Sequence, residues 1–360
     1  MRLLICAGGT GGGVYPALAA LHAIRDKAEI LWVGGEGGME AALVQRANIP
    51  FDAIPAAGLH GVGLRQLPGN LWQLARGFFA AGRILRHFKP DVLFFTGGYI
   101  AGPVALAGWR IPNLLYVPDI EPGAALKMIS AFADLIAISA EDSKPFFRGK
   151  KTIITGYPTR PELMEWTRDS GRKQLGLSNE MPVVLVSGGS RGARSINTAV
   201  MEHLPTLLEK AQVIHISGEL DWETIETNRE KLGREQAARY LAYPYLHEEM
   251  GAALAAADLV VSRAGASILG EYPLFGLPAI LVPYPHAWQY QKVNADDLAR
   301  HGAAILLEDE RLLAGLSMLG TELLDNPQKL QAMRAAMRGP ANPDAAAKIA
   351  GQILALAERR

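Results

Sequence analysis

Four times along this chain a short apolar run ends in a glycine turn and gives way to a helical pattern. Leu3-Leu4-Ile5-Cys6-Ala7 leads into Gly8-Gly9-Thr10-Gly11-Gly12-Gly13 and then Val14-Tyr15-Pro16-Ala17-Leu18. Val92-Leu93-Phe94-Phe95 leads into Thr96-Gly97-Gly98-Tyr99-Ile100-Ala101-Gly102-Pro103. Val183-Val184-Leu185-Val186 leads into Ser187-Gly188-Gly189-Ser190-Arg191-Gly192-Ala193-Arg194, and Leu259-Val260-Val261 into Ser262-Arg263-Ala264-Gly265-Ala266-Ser267. Strand, tight turn and helix in that order build a parallel sheet wrapped on both faces. A turn without Cβ atoms lets a ligand approach the backbone, and the N–H groups opening the next helix favour an anion such as phosphate. One such turn is equally what a ligand-free connection needs. The first is neither the dinucleotide fingerprint nor a P-loop, because no Gly-Lys-Ser/Thr follows it. Four of them imply a large cleft lined from two sheets, since open parallel sheets bind ligands beyond the carboxyl ends of their strands.

The same alternation predicts the rest of the chain. Strands are expected at 30–35, 51–54, 114–117, 134–139, 152–155, 213–218, 240–243, 279–283 and 303–307, and helices at 248–257 and 267–275. Pro16 is expected near the start of the first helix, where its missing N–H costs nothing. Gly156-Tyr157-Pro158-Thr159-Arg160-Pro161 is the best hinge. The expected organisation is therefore an N-terminal domain over 1–158, a second over 159–341, and a final helix over 342–360 that packs back on the first. A length of 360 residues suits two domains.

Charge and cysteine usage narrow the function. The formal net charge is zero, which argues against a general nucleic-acid binder. Residues 1–158 carry a net +4 and the remainder −4, so the mildly basic half suits an anionic surface or substrate. Cys6 is the single cysteine and reads as a small buried hydrophobe; a reducing cytoplasm fits. No apolar stretch reaches the ~20 residues of a membrane span, and Met1-Arg2-Leu3 opens directly into a strand with no signal-peptide pattern. Between Asp52 and Asp91 there is no acidic residue, while Leu71, Trp72, Leu74, Phe78, Phe79, Leu85 and Phe88 mix with Arg65, Arg76, Arg83, Arg86, His87 and Lys89. At helical spacing the apolar residues cover more than one face. Such a helix suits an interfacial contact with anionic lipid, which Trp109-Arg110 could extend. The plainer alternative puts the aromatics in the core and the arginines in water.

Taken together, the turns resemble the MurG family of glycosyltransferases. The carriers are Gly8-Gly9-Thr10-Gly11-Gly12 with Tyr15-Pro16-Ala17-Leu18, Gly97-Gly98-Tyr99 with Gly102-Pro103, Gly188-Gly189-Ser190 with Gly192-Ala193-Arg194, Ser262-Arg263 with Gly265-Ala266, and Gly276-Leu277-Pro278-Ala279. The likeness spans nearly the whole chain. It implies the GT-B fold: α/β, two Rossmann-like domains with parallel sheets facing across a cleft. It implies transfer of N-acetylglucosamine from UDP-N-acetylglucosamine to undecaprenyl-diphospho-muramoyl-pentapeptide, with inversion, at the cytoplasmic face of the membrane in peptidoglycan synthesis. The UDP-sugar is a substrate, and no cofactor or metal is implied; the chain has no Asp-x-Asp.

The resemblance also assigns residues. On the donor side it names Thr10, Gly11, Gly12, Gly13, Arg160, Gly189, Ser190, Leu246, Ala266, Glu271, Tyr290 and Gln291. Ser190 and neighbouring N–H groups would hold the diphosphate, Leu246 would lie beside the uracil and Glu271 would bind the ribose hydroxyls. Gln291 matches one of two consecutive sugar-binding glutamines, the other being Tyr290 here. Gly97, Gly98 and Tyr99 form the acceptor-side turn. The acceptor half departs from the family. The histidine that usually ends the first turn is Gly13, and the family's His-Glu-Gln-Asn segment is Tyr116-Val117-Pro118-Asp119. With both histidines and the glutamate missing, Asp119 becomes the expected general base and Glu121 its reserve. Two other readings fit an altered acceptor half beside an intact donor half: a glycolipid synthase using diacylglycerol, and a UDP-sugar-binding homologue without catalysis.

Overall fold

A computed structural model describes residues 1–9, 11–58, 67–189, 192–285 and 290–358. The chain divides into two compact units, Met1–Arg160 with Asn342–Arg360, and Pro161–Ala341. The first holds strands β1 (Arg2–Ala7), β2 (Glu29–Gly35), β3 (Phe51–Ile54), β4 (Val92–Gly97), β5 (Asn113–Val117), β6 (Leu135–Ile138) and β7 (Thr152–Ile154). All pair in parallel, in the order β3-β2-β1-β4-β5-β6-β7. The second holds β8 (Val183–Ser187), β9 (Gln212–Ile216), β10 (Tyr240–Tyr243), β11 (Leu259–Ser262), β12 (Ala279–Leu281) and β13 (Ala304–Leu306). They too are parallel, ordered β10-β9-β8-β11-β12-β13. Each is a doubly wound sheet whose strand order reverses beside its first strand.

That reversal positions the turns. β1 and β4 are neighbours, with Cys6 opposite Phe95 and a register shift that sets Ala7 opposite Gly97. β8 and β11 are neighbours, with Ser187 opposite Ser262. The first and second glycine turns therefore leave their sheet side by side, and so do the third and fourth. Strands buried on both faces explain the unbroken apolar runs. Leu3 and Ile5 face one core and Leu4 and Cys6 the other.

Helices α1 (Gly11–His22), α2 (Glu40–Arg46), α3 (Leu67–Phe88), α4 (Ala101–Ala107) and α5 (Ala124–Ile129) cover the first sheet. The second is covered by α6 (Arg168–Leu175), α7 (Arg194–Lys210), α8 (Trp222–Arg229), α9 (Arg234–Ala238), α10 (Met250–Ala256), α11 (Glu271–Phe275), α12 (Tyr290–Arg300), α13 (Leu312–Leu324) and α14 (Pro327–Arg338). The last helix, α15 (Ala345–Ala357), belongs to the first unit. Its Ile349, Ile353 and Leu356 join Val14, Ala17 and Leu21 of α1 in one core. Asn342 fixes its entry by donating from Nδ2 to the Thr155 carbonyl (2.8 Å).

Two local expectations are corrected. Pro16 lies inside α1, not near its start, because the glycines themselves adopt helical backbone from Gly11. Its ring nitrogen leaves the Gly12 carbonyl without the usual donor. The helix expected over 267–275 is a 3₁₀ turn, Ala266–Leu269, followed by α11, with the break at Gly270. At the amino ends of the second sheet, Asp258 gathers charge. It accepts from Arg172 (2.6 Å), Arg168 (3.3 Å), Arg334 (3.3 Å) and the Val183 N–H (2.9 Å), tying α6 and α14 to β8 and β11.

Candidate active site

In the first unit the switch point is built from backbone. A Cβ at Gly98, where φ is +88°, would come within 2.6 Å of the Gly8 carbonyl, so the two glycine turns touch. The Thr96 hydroxyl donates to the Gly13 carbonyl (2.6 Å), fastening the first turn of α1 to the end of β4. Gly13 is buried, and a Cβ there would meet the Thr96 carbonyl at 3.4 Å, an ordinary contact; the backbone does not demand glycine at this position. Gly11 lies against the Tyr15 ring, and the Arg160 guanidinium stands over that ring, 5.1 Å from its centroid. A cation–π contact of this kind holds a half-buried arginine in place. Gly11, Gly12, Gly13, Gly97, Gly98, half-exposed Tyr99 and Arg160 are thus collected at one end of the sheet. Thr10 lies outside the described residues.

Asp119 follows β5, half-buried, and Glu121 pairs with Lys127 (3.1 Å). Tyr116 is fully buried. Its hydroxyl meets Ser139 Oγ (2.8 Å) and reaches the Gly156 carbonyl (3.4 Å). Ser139 Oγ in turn donates to the Val117 and Pro118 carbonyls (3.1 and 2.9 Å), immediately before Asp119. Burial, with a smaller contribution from Asp119, pushes the Tyr116 phenol well above its ordinary range. Tyr116 is therefore a neutral strut under the Asp119 loop, not a proton acceptor.

In the second unit the third turn is pinned to β9. A Cβ at Gly192 (φ +78°) would come within 2.2 Å of the Ser217 carbonyl, so only glycine passes there. Gly192 N–H closes the turn on the Gly189 carbonyl (3.0 Å). Ser190 and Arg191 lie outside the described residues. One turn into α7, buried Asn197 donates from Nδ2 to the Ser217 carbonyl and to Asp221 Oδ2, both 2.9 Å. Its Oδ1 must then accept the Nε2–H of His215 (3.0 Å), leaving His215 Nδ1 to accept from the Tyr240 hydroxyl (2.8 Å). Burial pulls His215 down to about 4, so it is neutral at pH 7. Asp221 also takes Arg194, at the start of α7 (2.9 Å).

The fourth turn has its own hub. Arg263 donates to Ser195 Oγ (2.8 Å), to the Val282 and Pro283 carbonyls (3.2 and 3.3 Å) and to the Asp309 carboxylate. It thereby joins the ends of β11 and β12 to α7. Buried Asn294 of α12 donates to the Ala264 carbonyl (3.2 Å), beside Gly265 and buried Ala266. Glu271 opens α11, half-buried, and Leu246 is buried beyond β10. Tyr290 and Gln291 open α12, and the side-chain Oε1 of Gln291 accepts the Tyr284 N–H (3.0 Å). His286 to Gln289 lie outside the described residues.

The basic aromatic stretch resolves into one helix with two characters. Ala81 and Leu85 of α3 are buried, but Trp72 is 66% exposed and Phe79, two turns on, 69%. Arg76, Arg83 and Arg86 are exposed beside them. α4 packs on α3, and just past it stand Trp109, 59% exposed, and Arg110, whose guanidinium lies 4.6 Å from the indole. The plainer alternative, aromatics in the core, holds for Phe88, which packs against the core beside Leu85, and fails for Trp72 and Phe79; Arg65 lies outside the described residues. No helix among the described residues is long and apolar enough to cross a membrane.

Sequence reasoning missed Glu40, Asn197, His215 and Asp309, which hold the turns, and gave Tyr15 and Arg263 a place in the motifs but no supporting role. One of them left a usable signal. A histidine within the apolar strand Val213-Ile214-His215-Ile216 must find buried partners. The carboxylates left none, because the turns they hold, Gly9 for Glu40 and Arg263 for Asp309, are distant in sequence.

Comparison with known proteins bears on the whole chain. Residues 3–138 match the glycosyltransferase family 28 N-terminal domain and residues 183–349 its C-terminal domain. The UDP-N-acetylglucosamine--N-acetylmuramyl-(pentapeptide) pyrophosphoryl-undecaprenol N-acetylglucosamine transferase of Desulforamulus reducens is 39% identical, over 97% of each chain. A transferase of the same description from Desulfitobacterium hafniense is 40% identical, again over 97% of each. The crystal structure of Acinetobacter baumannii MurG superposes with a TM-score of 0.76 at 26% identity, covering 98% of this chain and 99% of that one.

Proposed function

The chain belongs to glycosyltransferase family 28, with the MurG transferases, and from that premise we propose the reaction and the residues that perform it. It transfers N-acetylglucosamine from UDP-N-acetylglucosamine to undecaprenyl-diphospho-muramoyl-pentapeptide. What carries the reading is that glycine turns stand at the switch points of both sheets, in a chain that aligns nearly end to end with these transferases.

The second unit takes the donor. The α7 amino end, with Gly189 and Ser190, holds the diphosphate, Glu271 the ribose, Leu246 the uracil edge, and Ala266, Tyr290 and Gln291 the sugar end. As the glycosidic bond breaks, charge grows on the diphosphate, and a preset row of N–H dipoles stabilises it without reorganisation. The Asn197–His215 and Arg263–Asp309 networks support this role by fixing the elements that carry the donors. In the first unit, Gly11 to Gly13 and Arg160 receive the far end of the donor, and Gly97, Gly98 and Tyr99 the acceptor. Asp119 takes the proton of the acceptor hydroxyl while that oxygen bonds to the anomeric carbon and UDP departs from the opposite side. Trp72, Phe79 and Trp109, among Arg76, Arg83, Arg86 and Arg110, seat the first unit on anionic lipid at the cytoplasmic face, where the polyprenyl acceptor resides.

The test is a transfer assay with radiolabelled UDP-N-acetylglucosamine and two rival acceptors. Label is expected on the undecaprenyl-linked muramoyl-pentapeptide. Label on diacylglycerol alone would replace this reading by a glycolipid synthase. UDP binding with no transfer to either would leave a non-catalytic homologue.

A further inference from the structure

Gly34-Gly35 and Gly37-Gly38 have no task in the reaction above beyond ending β2 and opening α2. The structure gives them one. Glu40, the first residue of α2, has a fully buried side chain, 0% exposed. Its Oε1 accepts the Gly35 N–H (2.8 Å) and its Oε2 the Gly9 N–H (3.2 Å). Glycines make the room. A Cβ at Gly8, Gly38 or Gly34 would come within 2.5, 2.3 or 3.0 Å of Glu40 atoms. Three segments, from the end of β1, the end of β2 and the loop before α2, omit side chains so that one carboxylate can lie among them.

A buried carboxylate is costly unless its oxygens are hydrogen-bonded, and charge-assisted bonds to backbone N–H are about twice as strong as neutral ones. The amino end of α1, just beyond Gly9, adds a favourable dipole. The Gly9 N–H is thereby turned inward and spent. The N–H groups that open α1, from Gly11 onward, have no acceptor within the helix.

We propose that Glu40 is a positioning residue for the transfer reaction. It clamps the first glycine turn to the end of β2, so that Gly11 to Gly13 meet the sugar end of the donor with their N–H groups already aimed. This rests on the reading that the first turn contacts the donor. Glu40→Gln places an amide N–H against one of the two backbone N–H groups and breaks the clamp. The KM for UDP-N-acetylglucosamine is expected to rise tenfold or more, while the Kd for UDP alone, held by the second unit, stays within twofold. A role confined to stability would lower Tm and leave that split at unity. Glu40→Asp keeps the charge on a shorter stem and is expected to fall between the two; it serves also if Glu40→Gln does not fold. Gly11→Val separates the failures. If Gly11→Val raises the KM and neither Glu40 variant does, the clamp is refuted and the turn reading stands. If none of the three moves the KM, the turn reading falls and the clamp with it.

Discussion

His215 makes the stability of the second unit depend on pH in a defined direction. Its imidazole is held neutral between Asn197 and Tyr240, with its pKa lowered from 6.5 to about 4. Above pH 6.5 the ring is neutral whether the chain is folded or not, and its bonds contribute in full. Below 6.5 the unfolded chain takes up a proton that the folded chain refuses, so stability falls as pH drops through the window from 6.5 to 4. By proton linkage the loss at pH 5 is about 2 kcal/mol and levels off near ~3 kcal/mol once pH is below 4. For a unit of this size, roughly 2–4 °C of Tm per kcal/mol makes that loss about 4–8 °C between pH 7 and pH 5. Carboxylates elsewhere also titrate toward the acid end, so the control is His215→Gln. Glutamine can donate to Asn197 and accept from Tyr240 but does not titrate. The variant is expected to be less stable at pH 7 and to show a shallower drop in scanning calorimetry, by the amount above. Equal drops in the two proteins would refute the assignment of His215 as a neutral, buried link.

Three further outcomes follow from the same structure. Asp119→Asn should lower kcat by about 10²–10⁴, the usual contribution of a general base, with UDP affinity unchanged; full turnover would pass the role to Glu121, checked by Glu121→Gln. Asp258→Ala leaves buried Arg172 and its neighbours Arg168 and Arg334 without their shared carboxylate. It should cost about 3–5 kcal/mol, read as a denaturant midpoint, as for other broken buried pairs; a change below ~1 kcal/mol would contradict the geometry. The double variant Trp72→Ser, Phe79→Ser should reduce sedimentation with phosphatidylglycerol vesicles by about tenfold or more, given the apolar area two aromatics bury, without changing turnover of a detergent-dispersed acceptor; unaltered sedimentation would remove α3 from the membrane contact.

The architecture was legible because it is written in periodic local signals. Apolar runs such as Val183 to Val186 and the glycines after them specify strand and turn without reference to the rest of the chain, and they recur. The family assignment rests on those same turns. Helix boundaries were less legible. Gly11 to Gly13 read as turn residues, yet their backbones are helical, because the packing of α1 against β4 overrides a weak propensity. Least legible were the supports. Glu40 meets Gly9, Asp309 meets Arg263 and Asp258 meets Arg172, each pair far apart in sequence, and a lone carboxylate looks the same whether it faces water or a backbone amide. Trp72 and Phe79 show the converse. Their identity suggested lipid as readily as core, and only the position of α3 over the sheet decides which aromatics lack cover.

The placement of α15 has a consequence for biosynthesis. Ile349, Ile353 and Leu356 complete a core whose members outside α15 all emerge from the ribosome within the first 160 residues. Each such side chain withdrawn from water is worth roughly 1.5–3 kcal/mol, so the early product of translation carries an uncovered oily groove along α1 until synthesis has run through the whole Pro161–Ala341 segment. A fragment ending near residue 160 should consequently clump or recruit chaperones. Supplying a peptide that spans 342–358 should restore it to a well-behaved monomer.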